Sequence, residues 1–318
     1  MYNETQKRKF ILAYTKSANT ASMAETVFNV TEEFEQKWDA DICTKDMDDL
    51  LPAITKVACL RIRSNDIRYS VLKTYGRWCR EQGIDGALDA LENIDIRKVG
   101  FDKIREQTVR DPNNLQEYLN VICEREDRQA TDNIVRCYCW LAYSGVEEED
   151  IIKIKCSDVD LDNMIVHYES GIWQIKIYDE AFAAFKNCVE LDKFLFINPR
   201  FETYRERVPG DTLVRGVNDL PTTSSMRVEL SRKAKRHDEE LNVKLSYKRI
   251  RMSGIFYRTL MDEKNGIEPN FKTLVHYERK GKKYNLSNSR NTQSSKLMEL
   301  ERNYLSDYER WKVAWGIN

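Results

Sequence analysis

Glycine and proline are scarce in this chain of 318 residues, at 12 and 6. Disordered linkers and low-complexity tracts are usually rich in these residues, so the chain reads as folded nearly throughout. Histidine is rarer still. His167, His237 and His276 are the only 3, too few and too dispersed to build a metal cluster. Neither G-x-x-x-x-G-K-[ST] nor G-x-G-x-x-G occurs, which removes the common phosphate-cradling loops. No apolar run approaches the roughly 18 residues of a membrane helix. The opening Met1-Tyr2-Asn3-Glu4-Thr5-Gln6-Lys7 is polar and unlike a signal sequence. The 8 cysteines are scattered, mostly inside apolar helical patterns. Cys137-Tyr138-Cys139 lacks the second pair or nearby histidine of a zinc site, so reduced thiols are expected. No cofactor, no metal and no membrane partner is implied, and the expected location is the cytoplasm.

What is abundant is charge, at 32%, alongside 41% hydrophobic and 10% aromatic residues. That mixture suits a helix-rich protein with packed cores. Apolar residues recur at helical spacing from Ala24 to Trp38, Asp46 to Ala58 and Asn65 to Gln82, with Pro52 near a first turn or a kink. Residues 1–90 therefore read as a helical bundle. Residues 91–114 read as a linker with a short helix at Phe101 to Gln107. Helices follow at Leu115 to Arg125 and Asp132 to Ser144. Met164 to His167 and Ile172 to Ile177 alternate like a hairpin closed by Glu169-Ser170-Gly171. After a helix from Ala181 to Leu191, residues 198–220 carry Pro199, Pro209, Gly210 and Gly216 and read as loop. Three more helices are expected, at Ser224 to Lys235, Tyr247 to Lys264 and Ser294 to Trp315. The fold class is mainly α with a small antiparallel β-sheet.

The net charge of -1 conceals segregation. Between Thr222 and Arg258 ten Lys/Arg face four acids. The ten include Arg227, Arg232, Lys233, Lys235, Lys248 and Arg251. Such an excess is an electrostatic footprint for phosphates. Thr222-Thr223-Ser224-Ser225 places hydroxyls at a helix start, where free N–H groups suit a backbone phosphate. A second basic group, Arg61, Arg63, Arg68, Lys73 and Arg77, lies at and along the helix that follows Arg61.

Two motifs carry a resemblance. Tyr143-Ser144-Gly145-Val146-Glu147 ends an apolar helix, and Leu245-Ser246-Tyr247-Lys248-Arg249-Ile250-Arg251 opens another. Together with the element order they resemble the tyrosine recombinases, the phage integrase family. The resemblance implies an N-terminal helical core-binding (SAM-like) domain, a linker at 91–114 and a catalytic-type domain over 115–318. In that family an arginine two residues after the glycine clamps the scissile phosphate; here it is Glu147, a carboxylate that cannot. Asp150 stands where the family usually has glutamate. The run Glu147-Glu148-Glu149-Asp150 suits a solvated helix start beside the positive end of the dipole. Arg251 matches the family's second arginine, Lys248 takes the histidine position, and Lys176 suits the hairpin lysine. His276 and Tyr284 lie near the remaining basic and nucleophile positions. Tyr304 and Tyr308 sit in an aromatic stripe of the kind that packs a core.

The start of the chain, Tyr75-Gly76-Arg77-Trp78-Cys79 and Arg251-Met252-Ser253-Gly254 narrow the resemblance to integrase-like prophage proteins, among them the lytic-cycle repressors of SPβ-like temperate phages. That implies a double-stranded DNA-binding protein in a bacterial host cell, a phage or prophage transcriptional repressor rather than an enzyme. It would act as a monomer or a DNA-induced oligomer, with a phage anti-repressor protein as a possible partner. The alternative implied is an active, divergent recombinase using Lys176, Lys248, Arg251, His276 and Tyr284.

Overall fold

A computed structural model of the chain describes residues 1–14, 17–123, 129–168, 173–198, 200–237, 239–241, 243–269 and 290–317. It forms two compact units, Met1–Arg105 with Arg302–Asn318, and Glu106–Glu301. Among the described residues, no helix is long and apolar enough to cross a membrane.

The first unit contains α1 (Glu4–Tyr14), α2 (Ala18–Trp38), α3 (Met47–Val57), α4 (Ile62–Glu81) and the short α5 (Phe101–Arg105). Side chains start two of these helices: Ser17 accepts from Thr20 N–H at α2, and Asp46 from Asp49 N–H at α3. Pro52 lies inside α3, past its first turn, and the helix continues through it. Phe10, Phe28 and Tyr75 meet edge to face, with ring centroids 4.9–5.9 Å apart. Into this aromatic core the sequence places one complete ion pair. Lys7 and Glu35 are both fully buried. Glu35 also accepts from Ile42 N–H at 2.9 Å and Thr31 Oγ1 at 3.1 Å, while Lys7 Nζ sits 5.1 Å from the Phe28 ring centroid. These partners compensate for the loss of water.

The second unit begins with α6 (Pro112–Ile122), capped by Asp111 Oδ1 on Asn114 N–H. Next come α7 (Gln129–Tyr143) and the single turn α8 (Glu148–Ile151). Strands β1 (Val159–Asp160), β2 (Ile165–Tyr168) and β3 (Trp173–Lys176) form a three-stranded antiparallel sheet in sequence order. The expected hairpin is thus present in register Ile165↔Lys176 to Tyr168↔Trp173, and its turn lies outside the described residues. After α9 (Phe182–Glu190) comes a second hairpin, β4 (Lys193–Asn198) paired with β5 (Phe201–Glu206). Strand β5 thus lies inside the stretch expected as loop from 198. Phe194, Leu195, Phe196 and Ile197 run without polar alternation, so the period-two signal is missing there. Arg205 stacking on Phe196 at 3.8 Å supports the pair instead. The helices α10 (Thr223–Arg236), α11 (Tyr247–Lys264) and α12 (Arg290–Trp315) complete the chain.

Helix α7 is the centre of the second unit. Cys137 through Tyr143 are all buried, a helix apolar on every side. Helix α11 approaches its end at Gly254, where an added Cβ would lie 1.7 Å from the Tyr143 carbonyl oxygen. Ser253 beside it is buried; its hydroxyl accepts from Val109 N–H at 3.0 Å and donates to the Arg249 carbonyl at 2.8 Å. The Met252-Ser253-Gly254 triplet is therefore a close-packing device.

The last residues of α12 belong with the first unit, not with the 115–318 piece expected from sequence. Their polar side chains bond to that unit's backbone. Asp307 accepts from Ile62 N–H at 2.6 Å, and Arg310 donates to the Leu60 and Val99 carbonyls. Tyr304, Tyr308 and Trp311 are buried here, the Tyr308 and Trp311 rings stacked at 6.1 Å, which is the core role expected of that stripe.

Candidate nucleic-acid interface

The turn after α7 is shaped by Gly145. It adopts φ +95°, with Gly145 N–H donating to the Ala142 carbonyl and Val146 N–H to the Leu141 carbonyl. A glycine in this conformation ends a helix without the Cβ penalty. Glu147 follows in extended conformation, and its carbonyl receives the Asp150 and Ile151 N–H groups that start α8. Its side chain meets Arg251 of α11, Oε1 to Nη2 at 3.0 Å. The Arg251 Nε also donates to the Gly145 carbonyl at 3.2 Å, and only 12% of its side chain remains exposed. The two residues singled out for phosphate chemistry are thus partners of each other.

The next carboxylate is more deeply set. Glu148 is buried, accepting from Tyr138 Oη at 2.5 Å and from Arg227 Nε of α10 at 2.8 Å. Burial, then this carboxylate, pushes the Tyr138 phenol well above its ordinary range, and hydrogen bonding to Glu148 holds the Arg227 guanidinium above its own. Tyr247 Oη donates to the Val146 carbonyl at 2.7 Å. The acidic run is therefore no solvated helix start. Only Glu149 is exposed, and α8 is tied to α7, α10 and α11.

Helix α10 starts with reciprocal bonds. Thr222 Oγ1 accepts from Ser225 N–H at 3.1 Å, and Ser225 Oγ from Thr222 N–H at 2.8 Å, with Ser224 exposed beside them. From here the footprint divides. Lys233 is buried against buried Asp132, and Arg232 is held by Glu229 on its own helix. Lys235, Lys244 and Lys248 are exposed, and none of the described carboxylates pairs with them. Together with Arg227, Ser231 and Arg249 they line a cleft of about 620 Å³ between α10 and the start of α11. Arg249 is the least free of these, since burial lowers its pKa and its guanidinium donates to the Lys244 carbonyl.

The other candidates are distributed differently. Lys176 is exposed on β3 and is not among the residues that line the cleft. His276 and Tyr284 lie outside the described residues. In the first unit, Arg61 pairs with Asp307 at 3.2 Å, Arg77 with Glu92 at 3.5 Å, and Arg68 donates to the Val57 carbonyl at the end of α3. Arg63 is exposed and Lys73 half-buried. The sequence does not mark Glu148 and Asp132 as partners for the α10 cations. Both stand on elements about eighty to a hundred residues away, and no local pattern marks them. No group of His, Cys, Asp or Glu among the described residues is arranged to hold a metal ion.

No curated protein sequence matches the chain. Among solved structures it is similar to the XerA recombinase, at 12% identity and TM-score 0.40, over 93% of this chain and 96% of that one. It is similar to the Tn1549 transposon integrase in complex with a circular intermediate DNA, at 12% identity and TM-score 0.38, over 93% and 98%. It is also similar to a lambda integrase dimer bound to a core site, at 13% identity and TM-score 0.34, over 93% and 94%. Residues 1–81 match the family model of the MrpR N-terminal core-binding domain, which bears out the helical core-binding domain expected at the start of the chain.

Proposed function

We propose that this protein binds double-stranded DNA sequence-specifically without cutting it, and acts as a phage or prophage transcriptional repressor. One observation carries the reading. The Arg251 guanidinium is paired with Glu147 at 3.0 Å, while Lys235, Lys244 and Lys248 stand uncovered along a nearby cleft. Transfer of a phosphoryl group needs cations fixed on the scissile phosphate. A carboxylate at that place repels the phosphate and neutralises its partner. Binding a duplex needs only cations that track the backbone, and those remain. The core-binding domain match at the N-terminus supports the same reading. Integrase ancestry for Glu106–Glu301 rests on the Ser144-Gly145 and Lys248-to-Arg251 motifs.

Selection of bound fragments from the source genome, followed by a nicked-duplex trapping assay, tests this. Clustered promoter sites and no covalent protein–DNA adduct are expected. An adduct that disappears with Tyr284→Phe establishes a recombinase instead. Lys235→Glu with Lys248→Glu should weaken duplex binding at least tenfold and flatten its salt dependence by about two charges. Unchanged affinity places the footprint elsewhere.

A further inference from the structure

We infer that α10 reads base edges through one exposed stripe, and that Val228 is the residue that selects thymine by its 5-methyl group. The inference rests on the DNA-binding reading above and adds to it a specificity determinant. Helix α10 buries Met226, Leu230 and Lys233 against its own unit. On the opposite side Ser224, Val228, Ser231 and Lys235 are exposed at positions i, i+4, i+7 and i+11, one continuous row along the helix. The row carries no carboxylate. Glu229, the one acid of the helix, lies beside it and is held by Arg232 at 2.6 Å.

Val228 is the unusual member, 62% exposed in the middle of a helix rich in cations and hydroxyls. A β-branched side chain loses χ1 freedom in a helix, and here burial against its own unit returns little. Its place suits a groove that offers both hydrogen-bonding edges and an occasional apolar group. The major groove of B-form DNA is wide enough for a helix, and its apolar feature is the thymine methyl. Serine hydroxyls donate or accept, so Ser224 and Ser231 fit base edges of either kind. Lys235 on the row, and Lys244 and Lys248 across the cleft, supply the charge that holds phosphates beside it. An A-form duplex does not fit, because its major groove is too narrow for a helix.

The experiment is deoxyuridine scanning. Duplexes are selected from a randomised pool with the full chain. Each thymine of the selected site is then replaced singly by deoxyuridine, which removes the methyl and leaves every hydrogen-bonding edge. With the wild-type chain, one or two positions per site should lose about fourfold in affinity, the value of one methyl-sized apolar group removed from water. With Val228→Ala those positions should become silent, and the salt dependence should stay as in the wild type. Circular dichroism checks the fold, and alanine favours the helix. Silence at every position, or a methyl effect that persists in Val228→Ala, overturns the inference while leaving DNA binding in place. Failure to select any duplex, even at low salt, overturns the DNA-binding reading itself and this inference with it.

Discussion

The aromatic core of the first unit and the α10–α11 rim of the second treat their acid–base pairs in opposite ways. In the first, Lys7 and Glu35 are both wholly excluded from solvent, inside an aromatic cluster. In the second, Glu147–Arg251 and Glu148–Arg227 sit at the rim of the α10–α11 surface, with side chains from 3% to 54% exposed. A fully buried pair cannot exchange partners without unfolding its surroundings, so it fixes how α1 meets α2. A rim pair can open, and a phosphate can compete with the carboxylate for the guanidinium. Position relative to solvent, more than partner chemistry, separates structural pairs from exchangeable ones.

The largest expected effect comes from the core pair. Lys7→Met leaves Glu35 buried without its counter-ion and should destabilise the chain by about 3–5 kcal/mol in urea unfolding. Lys7→Met with Glu35→Leu should recover most of that loss. A double variant as unstable as the single one breaks the comparison.

Next is the packing that supports the rim. Gly254→Ala places a methyl 1.7 Å from the Tyr143 carbonyl, which forces α11 away from α7. A loss of roughly 3 kcal/mol is expected, the upper end of ordinary overpacking, with a lowered midpoint in thermal unfolding. Full stability in that variant shows that α11 can shift, and so that the rim pairs rest on a softer frame than described.

Glu148→Gln should cost about 2 kcal/mol, because the charge-assisted bonds from Tyr138 and Arg227 weaken together. A near-zero change in urea unfolding would move this carboxylate from structural to dispensable. The smallest change in stability, under about 1 kcal/mol, belongs to Glu147→Gln. Its signature is in binding. Releasing Arg251 should raise duplex affinity and steepen the salt dependence by about one charge in a fluorescence titration. If affinity falls instead, Glu147 orients Arg251 rather than occupying it.

Periodicity located most of the helices, and α11 falls at Tyr247–Lys264 as the spacing indicated. Local pattern was enough there, because a helix buries one side and its hydrogen bonds close within a few residues. The β4–β5 hairpin is not legible in the sequence, because the apolar run Phe194-Leu195-Phe196-Ile197 has no polar alternation to read. The basic footprint between Thr222 and Arg258 was legible as a count, but the count overstated it. Lys233, Arg227 and Arg251 are neutralised by Asp132, Glu148 and Glu147, none of which lies in that window. Arg61 likewise carries no local sign of a partner, and Asp307, 246 residues further along, supplies one.

The sequence by itself determined the individual helices α2, α3 and α4, the glycine that ends α7 and the hydroxyl cap of α10. Each depends on residues within a turn or two of one another. Which cations stay available to a phosphate was decided only by tertiary structure. A charge is cancelled by whatever folds within about 3 Å of it, and here those partners stand eighty to two hundred and fifty positions away in the chain.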